Sequence, residues 1–444
     1  MQTKNILRSN PTWKNVAIAA SLLVTFNLKA QTWSNVGSGM NGYVLALTEY
    51  NGNLYAGGSF TMAGGNPANN IAMWNGSTWS AVGAGVNNTV HALTVFNGNL
   101  YVGGDFKTAG GNPASEIAEW NGSTWSPLGA GLQGTYYGSY FTGGCYALTS
   151  YNGNLYAGGE FDSAGGSLAN YVAEWNGTSW SALGPGLPTY YYVYALTVYS
   201  GGVYAGGWFG VEDWNGSSWA TPGTLYGSTY ALTVYNGNLY AGGQIYPGNV
   251  AEWNGTTWSA LGTGTNEPDY GVDALIAYNG ILYAGGQFDT AGGIPASNIA
   301  AWNGTSWSAL GVGVNARDSA FAVYNGCLYT GGIFTTVGGN SANYIATWCT
   351  PSGIEEISGG DGNEHPYPNP SSSLIYLNYN LPEGMNTAEM VITNLSGQVV
   401  KTCNVGNTFN HILLDTKQYA PGEYFYYMNT DNYRSATGKF IISR

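Results

Sequence analysis

The amino-acid sequence predicts an all-β protein, in which a seven-bladed β-propeller of four-stranded blades precedes a small antiparallel β-sandwich. One unit of sequence recurs from Trp33 to Trp348, as is typical of a fold that repeats one supersecondary element. Each unit contains short apolar runs separated by Asn-Gly pairs, the dipeptide that best marks a tight hairpin turn. The repeat ends after Trp348, and a different series of β-rich runs begins after residue 366.

Each repeat unit contains four runs, which we name strands A, B, C and D. Residues 195–199 represent strand A, and an Asn-Gly turn in most units leads to strand B, an LYAGG-type run. Ile299–Trp302 represents strand C, and a second Asn-Gly leads to strand D, of the TWSALG type. One such antiparallel meander cannot bury both of its faces, whereas several stacked radially can. The Gly-Gly pair that ends strand B is expected to permit a bulge or a close backbone approach.

Three landmarks of the unit each occur seven times. The Gly-Gly pairs begin at Gly57, Gly103, Gly158, Gly206, Gly242, Gly285 and Gly331. The strand C tryptophans are Trp74, Trp120, Trp175, Trp214, Trp253, Trp302 and Trp348. The strand D tryptophans are Trp33, Trp79, Trp125, Trp180, Trp219, Trp258 and Trp307. The chain therefore opens with an orphan strand D and closes with an orphan strand C. Because unpaired edges invite aggregation, we expect these two strands to pair and to close a ring of seven blades.

The chain is predicted to contain a signal peptide (1–30), the propeller (31–350), a linker (351–366) and the sandwich (367–444). Lys4 belongs to a basic N-terminal region, and the apolar run at residues 16–26 is too short to span a bilayer. Ala30 is the expected cleavage point. The alternative for this stretch is the amphipathic first helix of a cytosolic domain.

The composition excludes several classes of protein. A net charge of −13 and a pI near 4.4 argue against nucleic-acid partners and against an anionic membrane surface. No stretch reaches the roughly 18 apolar residues of a membrane helix, so we expect no transmembrane segment in the mature chain. Aromatic residues make up 15% of the chain and charged residues only 8%, which favours a turn-rich β fold over disorder.

The repeat resembles a known family. An apolar run that ends in Gly-Gly, followed by a spaced Trp-x-x-Leu, is similar to a kelch-type propeller repeat over roughly residues 31–350. The consensus sequence GGxFxxAGGxPAxNIAxWNG resembles kelch-like repeats of secreted bacterial proteins. This resemblance implies an architecture and no particular chemistry.

The C-terminal segment resembles a second family. Its motifs are YPNP at residues 367–370, NLSGQVV at residues 394–400, PGEY at residues 421–424, and Gly438–Ile442 at the end. Their order is similar to the C-terminal sorting domain of the type IX secretion system of Bacteroidetes. The resemblance implies handling by that machinery after passage through the periplasm. It also implies cleavage of the tail, with release of the protein or its attachment to surface lipopolysaccharide.

The long connections, which join strands B to C and D to A, share one face of the predicted ring, and we expect ligands there. One ring of variable positions precedes the strand A alanine: Leu45, His91, Tyr146, Tyr194, Tyr230, Asp273 and Ser319. A second ring follows Gly-Gly: Ser59, Asp105, Glu160, Trp208, Gln244, Gln287 and Ile333. The loops add Tyr136, Tyr137 and Tyr191. These side chains suit binding of carbohydrate or protein, although the tyrosines could also simply plug the mouth of the ring.

The same face offers little for catalysis, so a binding module is favoured over an enzyme. Asp105 and Glu160 occupy adjacent units and are the carboxylate pair that a carbohydrate-active enzyme, the alternative function, would use. His91 is the only histidine in the repeat region, and no metal site or cofactor is expected.

The cysteines suggest one disulfide. Cys327 replaces the asparagine that follows the A–B turn in most units, and Cys349 replaces the asparagine that follows the strand C tryptophan. Both changes fall in one unit, at the same end of neighbouring strands, and an exported protein permits disulfides. The alternative is two coincidental thiols. Cys145 and Cys403 lie in different domains and are expected to be unpaired.

Overall fold

The computed structural model describes residues 32–134, 143–188, 192–266 and 271–349, and in the tail residues 374–378, 381, 387–395, 398–406, 411–417, 419–430, 433–434 and 438–443. The chain divides into two compact units, Met1–Ser352 and Gly353–Arg444. All regular structure in the described residues is β-strand. The predicted signal peptide and linker lie outside the described residues.

The first unit contains, in its described residues, seven four-stranded antiparallel sheets, numbered here in the chain order of their A strands. The A strands are Tyr43–Tyr50, Val90–Phe96, Gly144–Tyr151, Val193–Tyr199, Tyr226–Tyr235, Val272–Tyr278 and Asp318–Tyr324. The B strands are Asn53–Ser59, Asn99–Gly104, Asn154–Glu160, Gly202–Gly207, Asn238–Tyr246, Ile281–Gly286 and Cys327–Gly332. The C strands are Ile71–Trp74, Ile117–Trp120, Val172–Trp175, Gly210–Trp214, Val250–Trp253, Ile299–Trp302 and Ile345–Cys349. The D strands of sheets 1–6 are Trp79–Ala81, Trp125–Pro127, Trp180–Ala182, Trp219–Ala220, Trp258–Ala260 and Trp307–Ala309.

The D strand of sheet 7 comes from the other end of the repeat region. Thr32–Asn35 pairs antiparallel with Ile345–Cys349, and Trp33 lies directly opposite Trp348. The same register joins Trp120 to Trp125 within sheet 2. The expected pairing of the two orphan strands is therefore present.

The first glycine of each Gly-Gly pair allows the next sheet to approach. A Cβ atom on Gly331 of sheet 7 would lie 2.5 Å from Cγ1 of Val44 in sheet 1, too close for any side chain. The equivalent contacts between consecutive sheets are Gly57 with Val90, Gly103 with Cys145, Gly158 with Val193, Gly206 with Thr229, Gly242 with Val272 and Gly285 with Asp318. The predicted need for glycine at this close approach is confirmed.

The strand D tryptophans also link neighbouring sheets. Each indole Nε1 donates a hydrogen bond to a backbone oxygen just beyond strand D of the preceding sheet. The pairs are Trp79 with Val36, Trp125 with Val82, Trp180 with Leu128, Trp219 with Leu183, Trp258 with Pro222, Trp307 with Leu261 and Trp33 with Leu310. The last bond, at 2.7 Å, ties the first strand of the chain to sheet 6.

The two hairpins of a sheet use Asn-Gly differently. Between strands A and B, Asn51 and Gly52 form a two-residue turn with φ of 50° and 72°, as the sequence predicts. Between strands C and D the prediction of a tight Asn-Gly turn is wrong: the loop has four residues, because Trp74 pairs with Trp79. There the Oδ1 atom of Asn75 accepts hydrogen bonds from the backbone amides of Ser77 and Thr78.

Five of the seven B–C connections in the described residues carry a short two-stranded ribbon. The ribbons pair Met62–Ala63 with Asn66–Pro67, Thr108–Ala109 with Asn112–Pro113, Ser163–Ala164 with Ser167–Leu168, Thr290–Ala291 with Ile294–Pro295, and Thr336–Val337 with Asn340–Ser341. Leu132–Gln133 adds a third strand to the ribbon of sheet 3. Sheets 4 and 5 carry no such ribbon in the described residues.

The second unit is a small antiparallel β structure. Leu374–Asn378 pairs with His411–Asp415 in one sheet. The other sheet contains Val399–Gly406, Thr387–Asn394, Gly422–Thr430, Tyr433–Arg434 and Gly438–Ile442. Ile375 from the first sheet and Met390 and Phe440 from the second are buried in one hydrophobic core. Two sheets that share a core match the predicted sandwich.

Candidate functional site

Every A strand bulges at one residue just before its alanine. The register skips Leu45, His91, Tyr146, Tyr194, Tyr230, Asp273 and Ser319. The second glycine of the Gly-Gly pair accommodates the bulge, because a Cβ on Gly58 would overlap the backbone oxygen of Tyr43. A bulge redirects the side chain of the extra residue, which explains why these positions vary while their neighbours repeat.

All seven bulged residues line one cavity of about 750 Å³. The remaining lining residues are Tyr43, Asp105, Arg317 and Ile333. Strand A of each sheet thus contributes to a single concave site at the face of the long connections. The predicted first ring of positions is brought together here as one surface.

Hydrogen bonds join three bulged residues to the end of strand B in their own sheets. Nε2 of His91 lies 2.9 Å from Oδ2 of Asp105, and the Tyr146 hydroxyl donates to Oε2 of Glu160 at 3.0 Å. The Tyr230 hydroxyl donates to Oε1 of Gln244 at 3.0 Å. The partners are fourteen residues apart in each pair, because both rings of positions flank the same hairpin.

Aromatic rings form a continuous wall across sheets 2–5. The centroids of His91 and Tyr146 are 5.1 Å apart, with the rings edge to face. Tyr146 and Tyr194 stack at 5.8 Å, and Tyr194 meets Tyr230 edge to face at 5.5 Å. Such contacts hold the rings in fixed orientations, so this wall is organised before any ligand binds.

The half-buried tyrosines Tyr146 and Tyr194 remain protonated at physiological pH. Burial raises the pKa of Tyr194 to about 12, and the neighbouring Tyr230 adds to the effect. Burial also raises the pKa of Tyr146, and the charges of Glu160 and Asp105 raise it further. These hydroxyls therefore act as hydrogen-bond donors.

Sheets 6 and 7 contribute an ion pair to the cavity. Nε of Arg317 donates to Oδ2 of Asp273 at 2.6 Å, and a second guanidinium nitrogen bonds Oδ1. The Asp273 side chain is only 5% exposed, and its burial raises the carboxyl pKa to about 6 although Arg317 opposes the rise. The bidentate geometry fixes both side chains across the boundary between two sheets.

Several predicted site residues lie elsewhere or outside the described residues. Tyr136, Tyr137 and Tyr191 belong to the undescribed loops. Glu160, Trp208, Gln244 and Gln287 are not among the residues that line the cavity. Glu160 and Gln244 instead orient its tyrosines, whereas Trp208 is 53% exposed and its ring centroid lies 5.0 Å from that of Tyr192. Gln287 is half-buried.

The sequence reasoning missed Tyr43 and Arg317. Each stands two residues before a bulged residue, Leu45 and Ser319 respectively, and so belongs to a third set of variable positions. Scanning the residue two places before each bulge would have found both. Among the described residues, no three His, Cys, Asp or Glu side chains come together in a way that could hold a metal ion.

Comparison with known proteins identifies the tail. Residues 365–443 match the family model described as the secretion system C-terminal sorting domain. The protein is secreted or displayed at the cell surface. The match supports the type IX sorting tail predicted from the motifs at residues 367–370 and Gly438–Ile442. No helix in the described part of the chain has the length and hydrophobicity needed to cross a membrane.

The chain is similar to solved structures at low sequence identity. Two solved extracellular domains from B. thetaiotaomicron, one from a one component system and one from a hybrid two component system, align with 90% and 94% of the chain. Sequence identity is 10% and 9%, the TM-scores are 0.43 and 0.45, and the chain spans 57% and 59% of those domains. The computationally designed protein Ika4 aligns with 33% of the chain over 88% of its own length, at 15% identity and a TM-score of 0.26. No curated protein matches the chain.

Proposed function

We propose that residues 31–350 form a closed, seven-bladed, kelch-like β-propeller that binds carbohydrate outside the cell. The pairing of Thr32–Asn35 with Ile345–Cys349 and the contact of Gly331 with Val44 support closure of the ring. A signal peptide at residues 1–30 carries the chain to the periplasm, and the type IX machinery exports it. Cleavage of the tail then releases the protein or attaches it to surface lipopolysaccharide.

The observation that carries this proposal is the cavity of about 750 Å³. Its wall combines stacked tyrosines with hydrogen-bonding groups that are held in fixed positions. Asp105 holds His91 and Asp273 holds Arg317 by side-chain hydrogen bonds. Sugars present apolar ring faces beside hydroxyl groups, and this combination suits them. A concave site of this volume favours a small ligand over the flat surface of a protein partner.

The alternative function is a carbohydrate-active enzyme. Glycoside hydrolysis commonly uses two carboxyl groups that flank the scissile bond. Of the predicted carboxylate pair, Asp105 lines the cavity. Glu160 accepts a hydrogen bond from the Tyr146 hydroxyl and is not among the lining residues. Asp273, the other acidic residue that lines the cavity in the described part of the chain, is held in an ion pair by Arg317. This arrangement favours binding over turnover.

A glycan array probed with the purified full chain tests the proposal. We expect binding that weakens at least about tenfold in Tyr194→Ala, because this variant breaks the aromatic wall. Leu168→Ala, at a 73% exposed ribbon position, is the matched control and should bind like the wild type. Failure to bind any glycan, with capture of a host protein instead, would contradict the proposal. Release of product that Asp105→Asn or Glu160→Gln abolishes would establish the enzyme.

A further inference from the structure

The charged groups around the central cavity are unevenly distributed. On the side of sheets 6 and 7, Arg317 bonds both carboxylate oxygens of Asp273, so this pair is neutral. On the side of sheets 2 and 3, Asp105 lines the cavity and Glu160 accepts a hydrogen bond from the Tyr146 hydroxyl of its wall. Neither of these two carboxylates forms an ion pair with a lysine or arginine of the described residues. The cavity therefore has a neutral side and an acidic side.

The carboxylate of Asp105 can be reached from the cavity. The side chains of Asp105 and His91 are each 25% exposed, and both line the cavity. Nε2 of His91 lies 2.9 Å from Oδ2 of Asp105, a distance at which a neutral imidazole donates a hydrogen bond. A neutral donor leaves the charge of the carboxylate in place, so this charge acts on any ligand in the cavity.

The negative charges of Asp105 and Glu160 already act on their neighbours. Burial raises the pKa of Tyr146, and the charges of Glu160 and Asp105 raise it further. Burial also raises the pKa of Glu116 to about 7, and the same two charges add to this rise although Lys107 opposes it. Lys107 is itself paired with Glu116. A positively charged ligand group would relieve the repulsion between these carboxylates.

The loop segments outside the described residues contain no positive charge. Residues 135–142 and 189–191 include no charged residue, and residues 267–270 include Glu267 and Asp269. These segments therefore supply no cation to the cavity. The whole chain has a net charge of −13, which has the same sign as the acidic side of the cavity.

We propose that the central cavity selects oligosaccharides that carry a free amino group. This inference rests on the proposed carbohydrate binding and narrows its ligand class. The sugar packs against the tyrosines of sheets 3–5, and its ammonium group pairs with Asp105. A hydrogen bond between two charged groups contributes more than the bond of a neutral hydroxyl, so the amine is favoured over a hydroxyl at the same position. Acidic sugars are disfavoured, because the same carboxylates repel them.

Calorimetry with the purified full chain at about pH 7 and about 1 mM ligand tests this selectivity. The probes are trisaccharides of the glucose and galactose series, each with a hydroxyl, an acetamido or a free amino group at the same carbon, and a galacturonic acid trisaccharide. We expect a free-amine trisaccharide to bind at least about tenfold more tightly than its hydroxyl and acetamido analogues. The acetamido analogue keeps the nitrogen without its charge, and the galacturonic acid trisaccharide should bind most weakly.

Asp105→Asn removes the charge at nearly constant shape and keeps an acceptor for His91. We expect the preference for the amine to fall to within about twofold of none, while neutral trisaccharides bind as before. Asp289→Asn is the matched control, because Asp289 is exposed and is not among the residues that line the cavity. It removes the same charge from the chain and should leave the preference unchanged. Tyr194→Ala should weaken binding of the amine, since the cavity holds the sugar.

The results separate this inference from the proposed function. A free-amine trisaccharide that binds no more tightly than its neutral analogue overturns the selectivity and leaves carbohydrate binding in place. A preference that Asp105→Asn leaves intact, or that Asp289→Asn abolishes, also overturns it, as does tighter binding of the galacturonic acid trisaccharide. Amine binding that Tyr194→Ala does not change would reflect attraction to the acidic surface and overturns it too. Failure of every trisaccharide to bind contradicts both proposals.

Discussion

Trp33 lies directly opposite Trp348, with their ring centroids 4.9 Å apart, although almost the whole repeat region separates them in the chain. In sheet 2 the corresponding rings, Trp120 and Trp125, are 5.3 Å apart and joined by a short loop. The first strand therefore reproduces without a covalent link the packing that a four-residue loop enforces elsewhere. Packing and hydrogen bonds, rather than a loop, therefore join the two ends of the repeat region.

Removing the first strand should destabilise the whole repeat region, the seven sheets of residues 32–349. Trp33→Ala is expected to lower the free energy of unfolding by about 3 kcal/mol, since it deletes a packed indole. Deleting residues 31–37 should cost more, because buried Val36 and all four backbone pairs are lost as well. Thermal unfolding of the full chain measures both changes, with Trp219→Ala as the equivalent change in a covalently continuous sheet. A melting temperature that the deletion leaves unchanged would rule out the importance of this pairing.

The disulfide should stabilise the same sheet. Cys327 and Cys349 are bonded, with Cα atoms 4.9 Å apart and a sequence separation of 22. In the chain-entropy model a loop of this length corresponds to about 3 kcal/mol, which the Cys327→Ser/Cys349→Ser variant should lose. A non-reduced digest of the exported protein should contain the linked peptides. Free thiols at both positions would contradict the bridge.

The remaining cysteine of the repeat region provides an internal control for the analysis of the disulfide. Cys145 is fully buried, and burial raises the pKa of its thiol well above the usual value. Alkylation of the folded protein should therefore leave Cys145 unlabelled, and denaturation should expose it. Rapid labelling of Cys145 would instead indicate that the sample was unfolded.

Asp318 should make stability depend on pH. It is fully buried where four other units have valine, and neither carboxylate oxygen makes a hydrogen bond of good geometry. Burial raises its pKa well above the usual value, and Thr330 and nearby backbone amides offset only part of this rise. The folded state thus keeps the proton that the unfolded chain releases near pH 4, and stability falls as the pH rises from there toward the folded pKa.

Asp318→Asn tests this linkage because it removes the charge at nearly constant shape. We expect the variant to be more stable than the wild type at pH 7, with this gain shrinking as the pH falls toward 4. Asp318→Val with Thr330→Ala introduces the residues that are most frequent at these positions in the other units, and this variant should be more stable at both pH values. Unfolding curves across this range measure the effect. A gain for Asp318→Asn that does not change with pH would show that ionisation is not its cause.

Removing the sorting tail should stop export without unfolding the repeat region. A chain without residues 367–444 is expected to accumulate in the periplasm, since the tail is what the secretion machinery handles. Protease accessibility on intact cells and circular dichroism of the purified fragment measure location and folding. Surface exposure of the truncated protein would contradict the role of the tail.

Much of the site was predictable because the bulged positions vary within a strict repeat. His91, Tyr146, Tyr194, Tyr230 and Asp273 all line the cavity as expected. The role of the positions after Gly-Gly was less predictable. Some of their side chains form hydrogen bonds with strand A of the same hairpin, and others do not line the cavity. Their direction depends on local contacts that the repeat pattern does not encode.

The sequence by itself determined the strands, the Asn-Gly turns between strands A and B, the cysteine pair and the tail, because periodic apolar runs, turn residues and spaced motifs are local signals. Only the tertiary structure decided that Arg317 forms an ion pair with Asp273 of the neighbouring sheet. It also decided that Asp318 is buried without a hydrogen bond of good geometry. These outcomes depend on how neighbouring sheets pack, and side chains far apart in the chain meet only once that packing is complete.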